Sequence, residues 1–164
     1  METQTLTVGS YFKANKIVHL AMVMGLVFFA FVSFLLQERG FGTIGGNIGK
    51  SAVYISPLIA LIGLIGSSSF FKRKLNACRA KQLLNEKLTE YRSALILKFA
   101  IIDGTTLILL IFYLLTGEFI VLIAAGILII IFISYIPTKA KLINDLALSF
   151  ADRQILDDPK SEIE

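Results

Sequence analysis

The sequence predicts an all-α integral membrane protein: a four-helix bundle with a cytoplasmic helical hairpin extension between helices 2 and 3 and a short amphipathic C-terminal helix. First, 55% of the 164 residues are hydrophobic, and the mean hydropathy is +0.76. Second, the apolar residues cluster in nearly uncharged stretches of about twenty residues, the length that crosses a bilayer as a helix. Third, lysine and arginine concentrate beside alternate ends of these stretches. Helices are expected because lipid offers no hydrogen-bond partner to an open backbone.

Four stretches, at 17–36, 53–71, 94–115 and 119–136, are predicted to be membrane spans. The remainder is too short to build a second core, so residues 1–156 are predicted to form a single transmembrane domain. The first stretch is interpreted as a retained span, because its apolar run is too long for a signal peptide and no small-x-small cleavage site follows it. Residues 157–164 are predicted to be a disordered acidic tail.

Basic residues predict the orientation, because loops rich in lysine and arginine remain in the cytoplasm. The segment between spans two and three carries seven of them: Lys72, Arg73, Lys74, Arg79, Lys81, Lys87 and Arg92. Lys13 and Lys16 precede span one, and Lys139 and Lys141 follow span four, whereas the other two loops hold only Arg39 and Lys50. The sequence therefore predicts a multi-pass protein of the bacterial inner (cytoplasmic) membrane with both termini in the cytoplasm.

The loop "GFGTIGGNIGKS", residues 40–51, contains a G-x-G-x-x-G at Gly40, Gly42 and Gly45. A nucleotide fingerprint needs a preceding strand inside a βαβ unit, whereas a membrane helix precedes this loop. Ile44 also replaces the first glycine of a phosphate-binding loop. We therefore expect no nucleotide binding. The glycines are interpreted as a compact turn or as small-x-x-x-small contacts, Gly42 with Gly46 and Gly45 with Gly49.

Span two is predicted to begin at Ser56-Pro57, because serine is a good N-cap and proline suits the first helical position. A helix that begins earlier and bends at Pro57 is the alternative. Small residues recur at spacings of four, three and four along this span and predict a face for close helix contact: Ser56, Ala60, Gly63 and Ser67.

A helical hairpin is predicted between spans two and three, since neither glycine nor proline occurs between Gly66 and Gly104. Its buried faces are predicted by two apolar stripes: Phe71, Leu75 and Cys78, then Leu84, Leu88, Tyr91 and Leu95. The turn is placed near 83–86 with Asn85 as N-cap. Residues 116–118 are predicted to be a tight outer turn. After Pro137-Thr138, one amphipathic helix is expected with an apolar face of Leu142, Ile143, Leu146 and Phe150.

Asp103 is the residue most open to a functional interpretation. It lies nine residues inside span three, roughly 14 Å deep at 1.5 Å per residue. An intramembrane acid is a functional-site hypothesis by default, because an ionised carboxylate there costs several kcal/mol. Thr106 is predicted to share a hydrogen bond with it, and a layer of glycines at similar depth is predicted to bring backbones close to it: Gly25, Gly63, Gly104 and Gly126. Asp103 is interpreted either as interhelical glue or as a carrier of protons or cations.

Enzymatic activity, metals and cofactors are not expected, since one histidine and one cysteine cannot supply a zinc site or a Cys–His pair. His19 and the tyrosines near span ends are interpreted as interfacial residues. The basic residues of the hairpin are predicted to contact anionic lipid headgroups or an acidic partner. No nucleic-acid partner is expected. The leading functional hypothesis is a structural or accessory subunit of a homo-oligomeric or larger membrane assembly; the alternative is a small proton- or cation-coupled transporter that uses Asp103.

Two resemblances arise at Asp103. Rotary-ATPase proteolipids also use one mid-membrane carboxylate, but this sequence lacks their glycine-repeat helix and places the acid in span three, so we attribute that likeness to chance. The segments "SALILKFAIIDGTTLILLIFYLLTGEF" and "PTKAKLINDLALS" resemble those of small bacterial four-span proteins whose function is not established. The shared features are a basic residue before an acid-glycine pair, an L-L-T-G turn and a P-T-K-x-K-x-x-x-D-L exit. This resemblance implies the four-span topology only.

Overall fold

The protein is all-helical, as predicted. The computed structural model describes residues 7–41, 47–161 and 163, and these form six helices. They are α1 (Val8–Glu38), α2 (Asn47–Arg79), α3 (Leu84–Thr116), α4 (Phe119–Ser134), α5 (Lys139–Leu146) and α6 (Phe150–Asp157).

Three helices, α1, α2 and α3, are long and apolar enough to cross a membrane. The fourth apolar helix, α4, has 16 residues and is therefore only about 24 Å long, somewhat less than the roughly 30 Å of a bilayer core. The helix axis bends by 84° between α4 and α5. Three or four apolar helices are consistent with a small membrane protein.

The outer surface of these helices is rich in large apolar side chains. Tyr54 is 81% exposed, and Phe28 and Ile130 are each 69% exposed. Soluble monomers rarely expose apolar patches of this extent, because water makes such exposure unfavourable. A lipid environment accounts for the surface.

The helices α3 and α4 lie in the middle of the packed helices of the chain. They pack against each other, and each also packs against α1 and α2, with the most extensive contact between α2 and α3. We call the end that holds the 80–83 turn, α5 and α6 the inner end, and the end that holds the 117–118 turn the outer end. At the outer end Gly117 ends α3 in the left-handed conformation, with φ 71°, as a tight turn between antiparallel helices requires.

The predicted hairpin is present, and α2 and α3 have 33 residues each. Both apolar stripes are buried, from Phe71 to Cys78 on α2 and from Leu84 to Leu95 on α3. The predicted cap at Asn85 is wrong, because α3 begins at Leu84, two residues earlier than that cap implies, and Leu83 is its N-cap without a side-chain bond. Burial of Leu84 against the hairpin outweighs the weak local preference for a polar cap.

The predicted start of span two is also wrong. The helix α2 begins at Asn47, and Pro57 lies inside it. Ser56 is fully buried instead of capping, and its hydroxyl has no hydrogen-bond partner among the described residues. Proline is tolerated within membrane helices because neighbouring groups can cover the freed carbonyl. Gly42, Gly45 and Gly46 lie outside the described residues, and Gly49-Lys50-Ser51 belongs to the first turn of α2.

The predicted single amphipathic helix is two helices, α5 and α6. Ala147, with φ 49°, breaks them apart, and Thr138 and Ser149 cap their N-termini. Leu142 and Leu146 are buried as expected, but Phe150 is 77% exposed. The break rotates α6 relative to α5, so Leu156 rather than Phe150 completes the buried face.

The tail predicted to be disordered from residue 157 makes defined contacts in its described part. The amide of Val8 donates to the carbonyl of Ser161 at 3.1 Å, and the amide of Gly9 donates to Pro159 at 2.9 Å. The free amides of the first turn of α1 need acceptors, and the tail supplies them. The first turn of α1 and residues 159–161 therefore meet at the inner end.

Candidate functional site

Asp103 lies in the middle of α3 and is half-buried. Its neighbours Ile102 and Thr106 belong to the buried stripe of the helix. Successive helical residues are rotated by about 100°, so Asp103 lies on a flank between the buried stripe and the exposed side. Within the part of the chain that the structure describes, no group donates a hydrogen bond to its carboxyl or forms an ion pair with it.

The flank that carries Asp103 is the one beside α1. Phe99 precedes Asp103 by one turn and is rotated from it by only about 40°. The Phe99 ring contacts the ring of His19 in α1, with centroids 4.9 Å apart. Thr105 lies on the opposite flank, beside α2.

The predicted hydrogen bond between Thr106 and Asp103 is not formed. The Thr106 hydroxyl donates to the carbonyl of Ile102 at 2.8 Å, and the Thr105 hydroxyl donates to Ile101 at 2.7 Å. A threonine in a helix can always reach the carbonyl four residues earlier. Each hydroxyl therefore donates its proton to a carbonyl of its own helix, and neither donates to Asp103.

The four glycines do not form a packed layer around Asp103. Only Gly63 has a close neighbour, and it is Thr105: a β-carbon at Gly63 would lie 2.3 Å from the Thr105 hydroxyl oxygen and 2.8 Å from its β-carbon. A β-carbon at Gly25, Gly104 or Gly126 would meet no atom within 4 Å.

The small-residue face of α2 does pack inward. Ser56, Gly63 and Ser67 are buried, and the Ser67 hydroxyl donates to the carbonyl of Leu64 at 2.9 Å. The spacing of small residues along α2 predicts close contact with another helix, and α2 and α3 make such a contact at Gly63.

The seven basic hairpin residues divide into two groups. Three have partners at the inner end: the guanidinium of Arg79 donates to the backbone of Asp145 at 2.6 Å, Lys81 pairs with Glu86 at 3.7 Å, and Lys87 pairs with Asp152 at 3.3 Å. Of these contacts, the Lys81–Glu86 pair is exposed on both sides and contributes little stability, whereas the Lys87–Asp152 pair is partly buried.

The other four, Lys72, Arg73, Lys74 and Arg92, form no ion pair with any described residue. The first three are exposed and directly follow the apolar stretch 53–71. They therefore keep their charges available at the level where lipid phosphates would lie. Contact with headgroups or with a partner stays a prediction.

A polar stripe on α1 was not anticipated as a buried feature. The Tyr11 hydroxyl donates to the carbonyl of Leu88 at 2.8 Å, and Asn15 is 4% exposed. His19 is 3% exposed, lies between the rings of Phe99 and Phe132, and its Nε2 is 3.0 Å from the Phe132 carbonyl oxygen. The interfacial interpretation of His19 is therefore wrong. The spacing of four between these residues was the available signal, because it places them on one helix face.

Two further contacts hold the inner end together. The Tyr91 hydroxyl donates to a carboxylate oxygen of Asp145 at 2.7 Å, which joins α3 to α5. The ammonium of Lys98 lies 3.6 Å from the centroid of the Tyr135 ring and 4.8 Å from that of Phe71. Aromatic faces attract a cation, so the rings of Tyr135 and Phe71 stabilise the ammonium group of Lys98.

No protein-family model, no curated protein and no solved structure gives a significant match to this chain. The resemblance to small bacterial four-span proteins stays a prediction. Among the described residues there is no group of three or more histidine, cysteine, aspartate or glutamate side chains that could hold a metal ion.

The orientation can be tested by cysteine labelling in a Cys78→Ala background. We expect Lys81→Cys, in the inner turn, to react with a membrane-impermeant maleimide only in inside-out vesicles, because the basic residues favour a cytoplasmic inner end. Arg39→Cys, at the end of α1, should react only from the opposite side. The reverse pattern would show that the termini lie outside the cytoplasm.

Proposed function

We propose that this chain is a non-enzymatic, multi-pass protein of the bacterial inner membrane, with both termini cytoplasmic. It acts as a structural or accessory subunit of a homo-oligomeric or larger membrane assembly. The contact surface is the α1–α3 flank that contains Gly25 and Asp103, together with the adjoining exposed side of α3 at Gly104. We call it the Asp103 flank.

The observation that carries this proposal is the unsatisfied carboxyl of Asp103. Even a protonated carboxyl is costly in hydrocarbon unless it forms hydrogen bonds, since lipid tails offer no partner. Within the described chain Asp103 has no such partner. A carbonyl, hydroxyl or carboxyl of an adjoining chain would supply one, because a neutral aspartic acid can donate its proton across a helix contact.

Glycine makes this surface suitable for close approach. Gly104 directly follows Asp103 and lies about 100° further around α3, toward its exposed side, and its backbone has open space where a side chain would stand. On α1, Gly25 and Tyr11 differ by fourteen positions and therefore by only about 40° of rotation. Tyr11 contacts α3, so Gly25 lies near the α3-facing side of α1; it is exposed and has open space where a side chain would stand. A helix of an adjoining chain could contact both backbones.

The alternative function starts from the same carboxyl. A half-buried acid without a protein partner could instead exchange a proton or bind a cation, as in a small coupled transporter. The two proposals differ in what the asparagine substitution does. Asparagine keeps the hydrogen-bonding capacity of the side chain but cannot titrate.

Association in liposomes tests the assembly proposal. Energy transfer between labelled copies, carrying Lys81→Cys in a Cys78→Ala background, would report association as the protein-to-lipid ratio changes. We expect Asp103→Leu to weaken association by about 3- to 30-fold, since interhelical hydrogen bonds contribute about 0.6–2 kcal/mol. Asp103→Asn should stay within about fivefold of the wild type, which corresponds to about 1 kcal/mol.

The matched control is Ile130→Ala, which truncates a residue of α4 that is 69% exposed and lies outside the Asp103 flank. It should associate like the wild type. Equal association of Asp103→Leu and the wild type would contradict the proposal. Loss of ion-coupled flux in Asp103→Asn liposomes, with association unchanged, would favour the transporter instead.

A further inference from the structure

A groove at the inner end lies between the start of α1 and the helices α5 and α6. It encloses about 310 Å³ and is lined by Phe12 and Leu156 on its apolar side and by Lys16, Thr138, Lys139 and Asp157 on its polar side. We call it the inner groove. It lies apart from the Asp103 flank, which is at mid-depth.

The two lysines of the inner groove lie at the same boundary of the apolar region. Lys16 directly precedes the apolar stretch 17–36, and Lys139 follows the stretch 119–136 by three residues. In a bilayer, these positions coincide with the level of the inner phosphates. The groove therefore combines apolar walls with two ammonium groups at headgroup depth.

The residues that the structure describes do not fully neutralise the charges in the groove. Lys139 forms an ion pair with Asp157, whereas Lys16 is exposed and pairs with no carboxylate among the described residues. Two lysines and one aspartate leave one net positive charge. The Lys139–Asp157 pair is itself partly exposed, so an incoming anion can share Lys139 without desolvating a buried pair.

An apolar track rises from the groove toward the middle of the membrane. Leu20 lies one turn beyond Lys16 on the same side of α1 and is 60% exposed. Ile17 is 56% exposed beside it, and Ile136, just before Lys139 on the other wall, is 43% exposed. The surface thus presents a cationic pocket with exposed aliphatic side chains directly above it.

We propose that the inner groove is a binding site for one anionic phospholipid. Its phosphate lies between the ammonium groups of Lys16 and Lys139, and an acyl chain lies along Ile17 and Leu20. Basic pockets between helices at the cytoplasmic level bind such headgroups because the phosphate charge is held in a partly desolvated setting. The Thr138 hydroxyl already accepts from the amide of Lys141, and its proton is left to donate to a phosphate oxygen.

This inference is independent of the assembly proposal, because it concerns a different surface and can be tested on protein that does not associate. Thermal unfolding in a mild, uncharged detergent is measured with added phosphatidylglycerol, with added phosphatidylcholine, or with inorganic phosphate. We expect phosphatidylglycerol to raise the unfolding temperature by several degrees, and the other two to raise it by less than half as much. Equal stabilisation by inorganic phosphate would overturn the lipid assignment in favour of a soluble anion.

Variants locate the site. Lys16→Gln, at an exposed and unpaired position, should remove at least half of the shift caused by phosphatidylglycerol without changing the unfolding temperature in its absence. Lys16→Arg should retain the shift, and so should the control Lys72→Gln, which removes an exposed charge of the inner end outside the groove. Native mass spectrometry should show one retained phosphatidylglycerol per chain in the wild type and Lys72→Gln, and less in Lys16→Gln. An unchanged shift in Lys16→Gln, or an equal loss in Lys72→Gln, would overturn the site.

Discussion

Gly63→Leu is expected to lower the free energy of unfolding by about 3 kcal/mol, because the side chain would have to occupy the space held by Thr105. Even the first added carbon would lie 2.3–2.8 Å from three atoms of Thr105, including its β-carbon, which cannot move without its backbone. The helices α2 and α3 would therefore separate along their extensive contact. Leucine favours a helix over glycine by roughly 1 kcal/mol, which offsets only part of this loss.

The single cysteine supplies the measurement. Cys78 is fully buried in the same α2–α3 hairpin, so a thiol-reactive fluorescent dye should reach it only after the helices part. Gly66→Leu is the matched control: it lies one turn further along α2, where an added carbon would meet no atom within 4 Å. In Gly66→Leu, the dye should react with Cys78 at the same temperature as in the wild type or at a higher one. If Gly63→Leu also reacted at the wild-type temperature, the close approach of α2 and α3 would be wrong.

A double substitution separates crowding from any other effect of residue 63. Gly63→Ala should be milder than leucine but still destabilising. Adding Thr105→Gly removes all three crowded atoms, so the cost of alanine at 63 should become smaller in that background. Additive effects of the two substitutions would indicate that the side chains do not meet.

Phe132→Ala is expected to lower stability by about 3 kcal/mol or more, because Phe132 is fully buried and its removal leaves a cavity between helices. Its ring lies 5.0 Å from that of His19 and 5.5 Å from that of Phe99, so one side chain joins α4 to both α1 and α3. Edge-to-face ring pairs add stability beyond the area they bury. The dye reaction of Cys78 reports the loss as a lower unfolding temperature.

Ile130→Ala is the control for Phe132→Ala. Ile130 lies two residues earlier on α4 but is 69% exposed. Its truncation therefore removes contact with lipid or detergent and leaves the packing between helices unchanged. We expect the Ile130→Ala protein to unfold near the wild-type temperature. Equal destabilisation by both substitutions would mean that α4 is packed in a different rotation from the one described.

The helical segments were predictable because their signals are local. The two stripes that end at Cys78 and at Leu95 were predicted to be buried and are buried, since a spacing of three and four places residues on one face whatever the partner helix is. The turn at residues 116–118 was also predictable, because glycine readily adopts the left-handed conformation that Gly117 has at the end of α3. The Ser56-Pro57 start failed because a cap motif describes what a helix end prefers, whereas the membrane environment lets a helix continue through proline.

Contacts between distant residues were not predictable in the same way. Gly63 was expected near Asp103, yet it meets Thr105, two residues further along. A step of two residues rotates the contact by about 200° around α3, from the α1 flank to the α2 flank. The predicted depth of a residue describes its position along the helix axis and carries no information about its rotation around that axis.

The sequence by itself determined that the chain has three or four apolar helices, roughly where they lie along the chain, and which of their ends carry charge. Each of these properties follows from the partition of one segment between water and lipid, which depends on that segment alone. Only the tertiary structure decided that His19 is buried between two rings, that Asp103 has no partner in the described part of the chain, and that Pro159 and Ser161 reach the start of α1. Those outcomes depend on the rotation of each helix about its axis, which is set by side-chain packing against neighbours far away in the sequence.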